Sequence, residues 1–234
     1  MTMRLKYLCL GAWTLVICLL LVVLVLKVPW FNRVKVALLG GHTVEQRIEQ
    51  YGPAAWQRLG LERVPSRVLL VVFKDVRQME VYVADESPWR LARRYPVLGL
   101  SGKLGPKTRE GDRQVPEGFY PIVALNPDSA YHLALRVGYP NAEDLAQAKL
   151  DGRTELGGDI MIHGSTASIG CLAMGDAVSE ELFVLAAKVG IEHINVLIAP
   201  VDFRQTSTVV LSEATPTWLA ERYERVRRAL PPVP

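Results

Sequence analysis

"GDIMIHGSTASIGCLAMGDAVSEELFVLAAKVG", residues 158–190, holds the signals of a strand, a tight loop and a helix in immediate succession. "GDIMIHG" is a short apolar run bounded by glycines, which predicts a strand ending at His163. "STASIG" is built of small and turn-forming residues apart from Ile169. From Asp176 the sequence predicts a helix, with Asp176 as its N-cap and Gly190 as its stop.

The flanks read mostly as strands. "RVLLVVFKD" and "RQMEVYVADE" predict a hairpin, Val68–Phe73 with Met79–Val83, turning through Lys74 to Arg77. "RRYPVLGLSG" reads as another strand. The stretch from Gly102 to Ile122 is too dense in glycine and proline for a long helix, and it predicts an ordered loop feeding a strand at Gly118–Leu125. "AYHLALRVGYPN" alternates and reads as extended; "AEDLAQAKLDG" is a short helix or turn; "EHINVLIAP" is a final strand. Many short strands with few helices make a β-rich α+β domain, with one helix following Cys171.

Ahead of it, Thr43 and Gln46 resemble a capping box before Val44, Ile48 and Tyr51 at helical spacing; Gly52-Pro53 should break that helix. This segment is a stalk or a packing element. At the other end, "TPTWLAERYERVRRAL" is an amphipathic helix, with Arg222, Arg225, Arg227 and Arg228 expected on a solvated face in preference to contact with anionic lipid headgroups. The expected organisation is an N-terminal anchor over 1–30, a helical linker over 31–66, a catalytic domain over 67–204 and a helical tail over 205–234.

The anchor expectation rests on residues 8–26, a run without a single charge. At about 1.5 Å per residue a helix of this length nearly matches the ~30 Å of a bilayer core. Lys27, Val28, Pro29 and Trp30 follow it instead of a small-residue cleavage pattern, so an uncleaved signal anchor fits better than a cleaved signal. Flanking charges are nearly balanced and do not orient the span by themselves. A short N-terminal tail before a large domain suits export of that domain. A net charge of only +3 without a long basic run gives no reason to expect nucleic acid as a partner.

Cys9 and Cys18 fall in the presumed span, which leaves Cys171 alone in the rest of the chain. A cysteine nucleophile acts as its thiolate, which a free thiol of pKa about 8.5 supplies only sparingly at neutral pH. A nearby imidazole able to accept the proton removes that limit. If the chain doubles back through the small-residue loop, His163 and Cys171 become neighbours, with Gly164 and Gly170 free of side-chain bulk. The Gly170 or Cys171 amide could then face an oxyanion, and Ser168 could orient or polarise the site. Other readings stay open: a metal site with His132, His193 or Asp159, a purely structural Cys and His, or a Ser168 nucleophile.

"IMIHGSTASIGCLAMGD" resembles the active-site segment of the L,D-transpeptidase (YkuD-type) family, which pairs an H-G with a downstream [S/T]-H-G-C. "VPEGFYPI" at 115–122 is similar to the family's T-P-x-G-x-[FY]-x-I segment. "GKLGPKTREGD", "ALRVGYPNAED" and the close H-G-S-x-x-S-x-G-C resemble a subgroup of Gram-negative cell-wall enzymes. The resemblance covers roughly 68–199. It implies Cys171 as nucleophile, His163 as base, Gly170 and the Cys171 amide as oxyanion donors, and Ser168 at the [S/T] position. Ile169 replaces the second histidine, the His-to-Cys interval is short, and Ala173 stands where an arginine is common.

The implied reaction is acyl transfer on peptidoglycan stem peptides through an acyl-thioester, needing neither cofactor nor metal. The subgroup also includes hydrolases that detach a lipoprotein from peptidoglycan, so hydrolysis is an alternative outcome and such a lipoprotein a second candidate partner. A catalytically silent peptidoglycan-binding domain is the rival from another class. Expected substrate-facing residues are Tyr131, His132, Tyr139 and Asn141, with Lys103, Lys107 and Arg109 as cations suited to stem-peptide carboxylates. The expected location is the inner membrane, with the catalytic domain in the periplasm.

Overall fold

The computed structural model describes residues 40–86, 88–210 and 216–233, and the expected membrane anchor lies outside them. No helix among the described residues is long and apolar enough to cross a membrane. In chain order the elements are α1 (Val44–Leu59), β1 (Arg67–Phe73), β2 (Gln78–Ala84), β3 (Arg90–Pro96), β4 (Gly99–Leu100), β5 (Gly118–Ser129), β6 (His132–Val137), α2 (Ala142–Leu150), β7 (Met161–His163), β8 (Leu172–Ala173), α3 (Asp176–Val189), β9 (Ile194–Ala199) and α4 (Leu219–Ala229). The strands form one mixed sheet in the order β3-β2-β1-β9-β5-β6-β7-β8-β4. This is the β-rich α+β architecture expected from the sequence.

The unbroken apolar run of β1 explains its place near the sheet's middle. Val68, Leu70 and Val72 point into one core, which also holds Leu182, Phe183 and Leu185 of α3 and Leu59 of α1. Leu69, Val71 and Phe73 point the other way, under Trp218, Leu219, Tyr223 and Val226 of α4. Period-two alternation thus feeds a core on each face, and full burial of each such side chain is worth about 1.5–3 kcal/mol.

Three details differ from expectation. Helix α1 runs unbroken through Gly52-Pro53. Gly52 has no Cβ to meet the proline ring, and α1 is held from outside: Ala55 and Leu59 are buried, and Arg58 bonds Glu181 and Glu180 at 2.8 and 2.7 Å. It is therefore a packing element and not a stalk. Gly175, not Asp176, is the N-cap of α3. Arg222 is buried rather than solvated: it pairs with Asp144 at 2.8 Å and Glu143 at 2.7 Å, and lies over the Trp218 ring.

Candidate active site

The parallel strands β7 and β8 meet at Ile162↔Leu172 and His163↔Ala173. On β7's other edge, β6 aligns Ala134 with His163 and Arg136 with Met161. Alternation turns Leu133, Leu135, Ile162 and Leu172 into the core. The same alternation puts Ala134, Arg136, Met161, His163 and Ala173 on the opposite face. Cys171 immediately precedes β8, and the alternation carried one residue back sets it diagonal to His163 on that face.

The loop between them is pinned at each turn. Gly164 donates its amide to Leu133 O at 3.3 Å, and the Ser165 amide donates to Asp176 Oδ1 at 2.7 Å. Asp176, displaced from the N-cap position, thus ties α3 to the loop between His163 and Cys171. A Cβ on Gly164 would sit 2.5 Å from Asp176 Oδ1 and 2.8 Å from the Tyr131 carbonyl, so this position has room only for glycine. Gly170 takes φ +98°, a region L side chains rarely adopt, and donates its amide to Ser101 Oγ at 2.6 Å. Ser168 Oγ donates to the Cys171 carbonyl at 2.6 Å, holding the cysteine's backbone without touching its sulfur.

His163 is buried, with its Nδ1 2.6 Å from the Gly164 carbonyl oxygen. A carbonyl only accepts, so Nδ1 carries the hydrogen and Nε2 keeps a free lone pair. The Tyr131 ring stacks on the imidazole at 4.8 Å between centroids and 25° between planes. Cys171 is half-buried and directs Sγ at the Asp159 carbonyl, 3.6 Å away. Burial pushes the thiol pKa up, and the Asp159 carboxylate adds to this; the Met161 amide and the Lys107 charge pull the other way without cancelling it.

Of the expected substrate-facing residues, the structure brings Tyr131 to the imidazole and gives most of the others local partners. His132 Nε2 lies 3.0 Å from Glu180 and its ring meets Tyr51 edge-on. Tyr139 is buried and donates to the Lys107 and Leu156 carbonyls. Asn141 caps α2 and donates to Phe119 O at 3.0 Å. Lys107 is buried against Asp112 at 2.6 Å, and Asp112 also accepts the Thr108, Arg109 and Gln114 amides. Arg109 is exposed, and Lys103 donates its amide to Gln114 Oε1 at 2.8 Å. The ligands considered for a metal are dispersed: His193 lies beside Glu192 at 3.8 Å, His132 beside Glu180, and Asp159 beside Arg136.

Ser101, Met161 and Arg136 were not singled out from the sequence. The one signal for Arg136 was the alternation of "HLALRV", which sets it with Ala134 against Leu133 and Leu135. Its relation to Cys171 exists only once β6, β7 and β8 pair.

The YkuD family model, described as the L,D-transpeptidase catalytic domain, matches residues 67–201. The chain is similar to a protein of two Escherichia coli strains named "Putative L,D-transpeptidase YafK", at 40% identity over 120 residues. That alignment takes in 50% of this chain and 46% of the relative, so the chain spans about half the length of the curated relatives it matches. Among solved structures, the helical cell shape determining protein Pgp2 of Campylobacter jejuni aligns at TM-score 0.46 and 22% identity, over 68% of this chain and 56% of Pgp2. Bd1075 of Bdellovibrio bacteriovorus aligns at TM-score 0.43 and 20% identity, over 69% of this chain and 54% of its own. The family match takes in more than half of the residues, including the whole strand–loop–strand that carries His163 and Cys171, and the chain belongs to the L,D-transpeptidase catalytic domain family.

Proposed function

We propose that this chain acts on peptidoglycan stem peptides by acyl transfer through a thioester on Cys171. Cys171 Sγ attacks the carbonyl of an L,D-configured peptide bond at diaminopimelate, forming the S–C bond. His163 Nε2 takes the thiol proton and delivers it to the departing amine as the C–N bond breaks. An acceptor amine then attacks the thioester, forming a new amide and restoring the thiol; water in its place gives a carboxylic acid. The Gly170 amide is engaged by Ser101, which leaves the Cys171 amide as the candidate donor to the oxyanion.

The observation that carries this reading is the hydrogen bond from His163 Nδ1 to the Gly164 carbonyl. It supports the tautomer whose free nitrogen can serve as a base. Family membership supports the reaction type. The proposal extends to location: the uncharged run over residues 8–26 anchors the chain in the inner membrane, and the catalytic domain lies in the periplasm where stem peptides are found. Protease accessibility in spheroplasts tests that placement.

Full-length protein in detergent, incubated with tetrapeptide muropeptides with and without a competing amine, tests the chemistry. Product is expected from wild type, with Cys171→Ala and His163→Ala slower by roughly a thousandfold or more. Amine incorporation assigns transfer, and free acid alone assigns hydrolysis. If Cys171→Ala matches wild type, the thiol mechanism is wrong and a binding role takes its place.

A further inference from the structure

Arg136 occupies a place on the catalytic face that the thiol–imidazole chemistry does not use. It lies opposite Met161 in the β6–β7 register, and the β7–β8 register carried one residue further puts Met161 beside Cys171. Arg136, Met161 and Cys171 thus form one row across three strands, about 10 Å from end to end at the backbone. An extended arginine covers most of that gap. The adjacent row, Ala134, His163 and Ala173, has alanines on either side of the imidazole.

The guanidinium pairs with the Asp159 carboxylate, with Arg136 Nη2 2.6 Å from Asp159 Oδ1. Their side chains are 50% and 76% exposed, so the pair is weakly held and open to exchange. Asp159 is also where the thiol rests, since its carbonyl oxygen accepts from Cys171 Sγ. Its backbone takes φ +55°, a strained choice for any residue other than glycine, asparagine or aspartate. A carboxylate is therefore parked on an arginine beside the nucleophile, at the point of the chain that also holds the sulfur.

We propose that Arg136 is a specificity-determining residue that binds a free carboxylate of the substrate next to the scissile bond, and that Asp159 holds its place until substrate arrives. The planar guanidinium matches a carboxylate in two-point geometry, and substrate exchange replaces one carboxylate by another without stranding a charge. In a stem peptide two carboxylates qualify: the terminal one of the residue that leaves, and the one on the diaminopimelate side chain. The inference rests on the thiol reading above for which bond is cut, but not for whether a carboxylate is bound.

The test is calorimetric binding of a tetrapeptide stem to the full-length protein in detergent, with each of those two carboxylates amidated in turn. Wild type is expected to bind the free acid roughly tenfold or more tighter than one of the amidated forms, which identifies the carboxylate. Arg136→Gln should abolish that preference while binding of the matching amide stays unchanged, and Arg136→Lys should keep part of it. Asp159→Asn, tolerated at this φ, should tighten free-acid binding several-fold. Both substitutions are at exposed positions, and an unchanged melting temperature confirms the fold. The proposal is overturned if wild type does not distinguish acid from amide, if it binds no peptide, or if Arg136→Gln weakens acid and amide alike. Intact discrimination without turnover supports the carboxylate site while sinking the Cys171 reaction, so the two failures are distinct.

Discussion

Ser101 Oγ lies 2.6 Å from the amide nitrogen of Gly170 and donates its own hydrogen to the Arg113 carbonyl at 2.8 Å. One hydroxyl therefore links the residue before Cys171 to the Gly/Pro loop, at a position where the backbone has a left-handed φ of +98°. Ser101→Ala removes the acceptor and leaves a partly buried N–H unmatched, a loss of about 1–3 kcal/mol. The expected kinetic result is a fall in kcat of roughly tenfold with KM little changed, because the displaced atoms belong to the reacting center. Ser101→Thr keeps the hydroxyl and should retain most activity. A purely structural role would lower the melting temperature while leaving kcat unchanged in the folded fraction.

The raised pKa of Cys171 gives a pH prediction. Burial, aided by the Asp159 carboxylate, disfavours the thiolate, so the resting sulfur at neutral pH is an S–H. Iodoacetamide labelling of Cys171, followed by peptide mass spectrometry, should accelerate with pH and inflect above the ordinary thiol value of about 8.5. An inflection below pH 8 would show a preformed thiolate instead. The stability consequence has a definite sign. A folded pKa above the unfolded one means that the native state keeps a proton the unfolded chain has lost. Stability is therefore full below the unfolded pKa and declines as pH rises through the folded one.

Tyr131 stacks on the imidazole of His163 while 44% of its surface stays exposed. The ring shields one face of the imidazole, and under the proposed reaction it would stabilise the imidazolium. Aromatic pairs of this kind are worth about 0.5–1.5 kcal/mol. Tyr131→Ala should slow turnover by roughly threefold to tenfold. Tyr131→Phe should leave it unchanged. If Phe costs as much as Ala, the hydroxyl and not the stack is what matters.

How much of this was legible in the sequence depends on the range of each interaction. The β1–β2 hairpin and α3 follow from local periodicity, and both stand where the residues put them. The sequence also predicts His163 and Cys171 as facing neighbours, because a loop of small residues allows few ways to return, while the β7–β8 register pairs His163 with Ala173 instead. The roles of His132, Tyr139, Asn141 and Lys107 were not. Three of the four have partners far along the chain, Glu180, Leu156 and Phe119, and Lys107 is fixed by a loop whose fold no periodicity announces. A polar residue near a motif looks available to substrate until such partners are known. Arg222 shows the same limit, since helical spacing gave its face but not the Asp144 and Glu143 carboxylates waiting there.

Lys74 and Glu117 form an ion pair at 2.8 Å with both side chains fully buried. Lys74 Nζ also donates to the Gly105 and Val115 carbonyls, while Glu117 accepts from the Gly105 amide and from the Tyr223 hydroxyl of α4. The cluster therefore fastens both ends of the Gly/Pro loop to the sheet and to the C-terminal helix. Burial pulls the Lys74 pKa down and pushes that of Tyr223 up, so neither tolerates losing its partner. Glu117→Ala strands a buried ammonium and should cost about 3–5 kcal/mol in a denaturant melt. The double variant Lys74→Met with Glu117→Leu should recover much of that stability, because apolar side chains replace both charges. Activity should not recover with it, since the hydrogen bonds to Gly105 and Val115 that order the loop behind Ser101 and Gln114 are still absent. If the double variant regains full turnover, the cluster serves the fold alone and has no part in placing the catalytic loop.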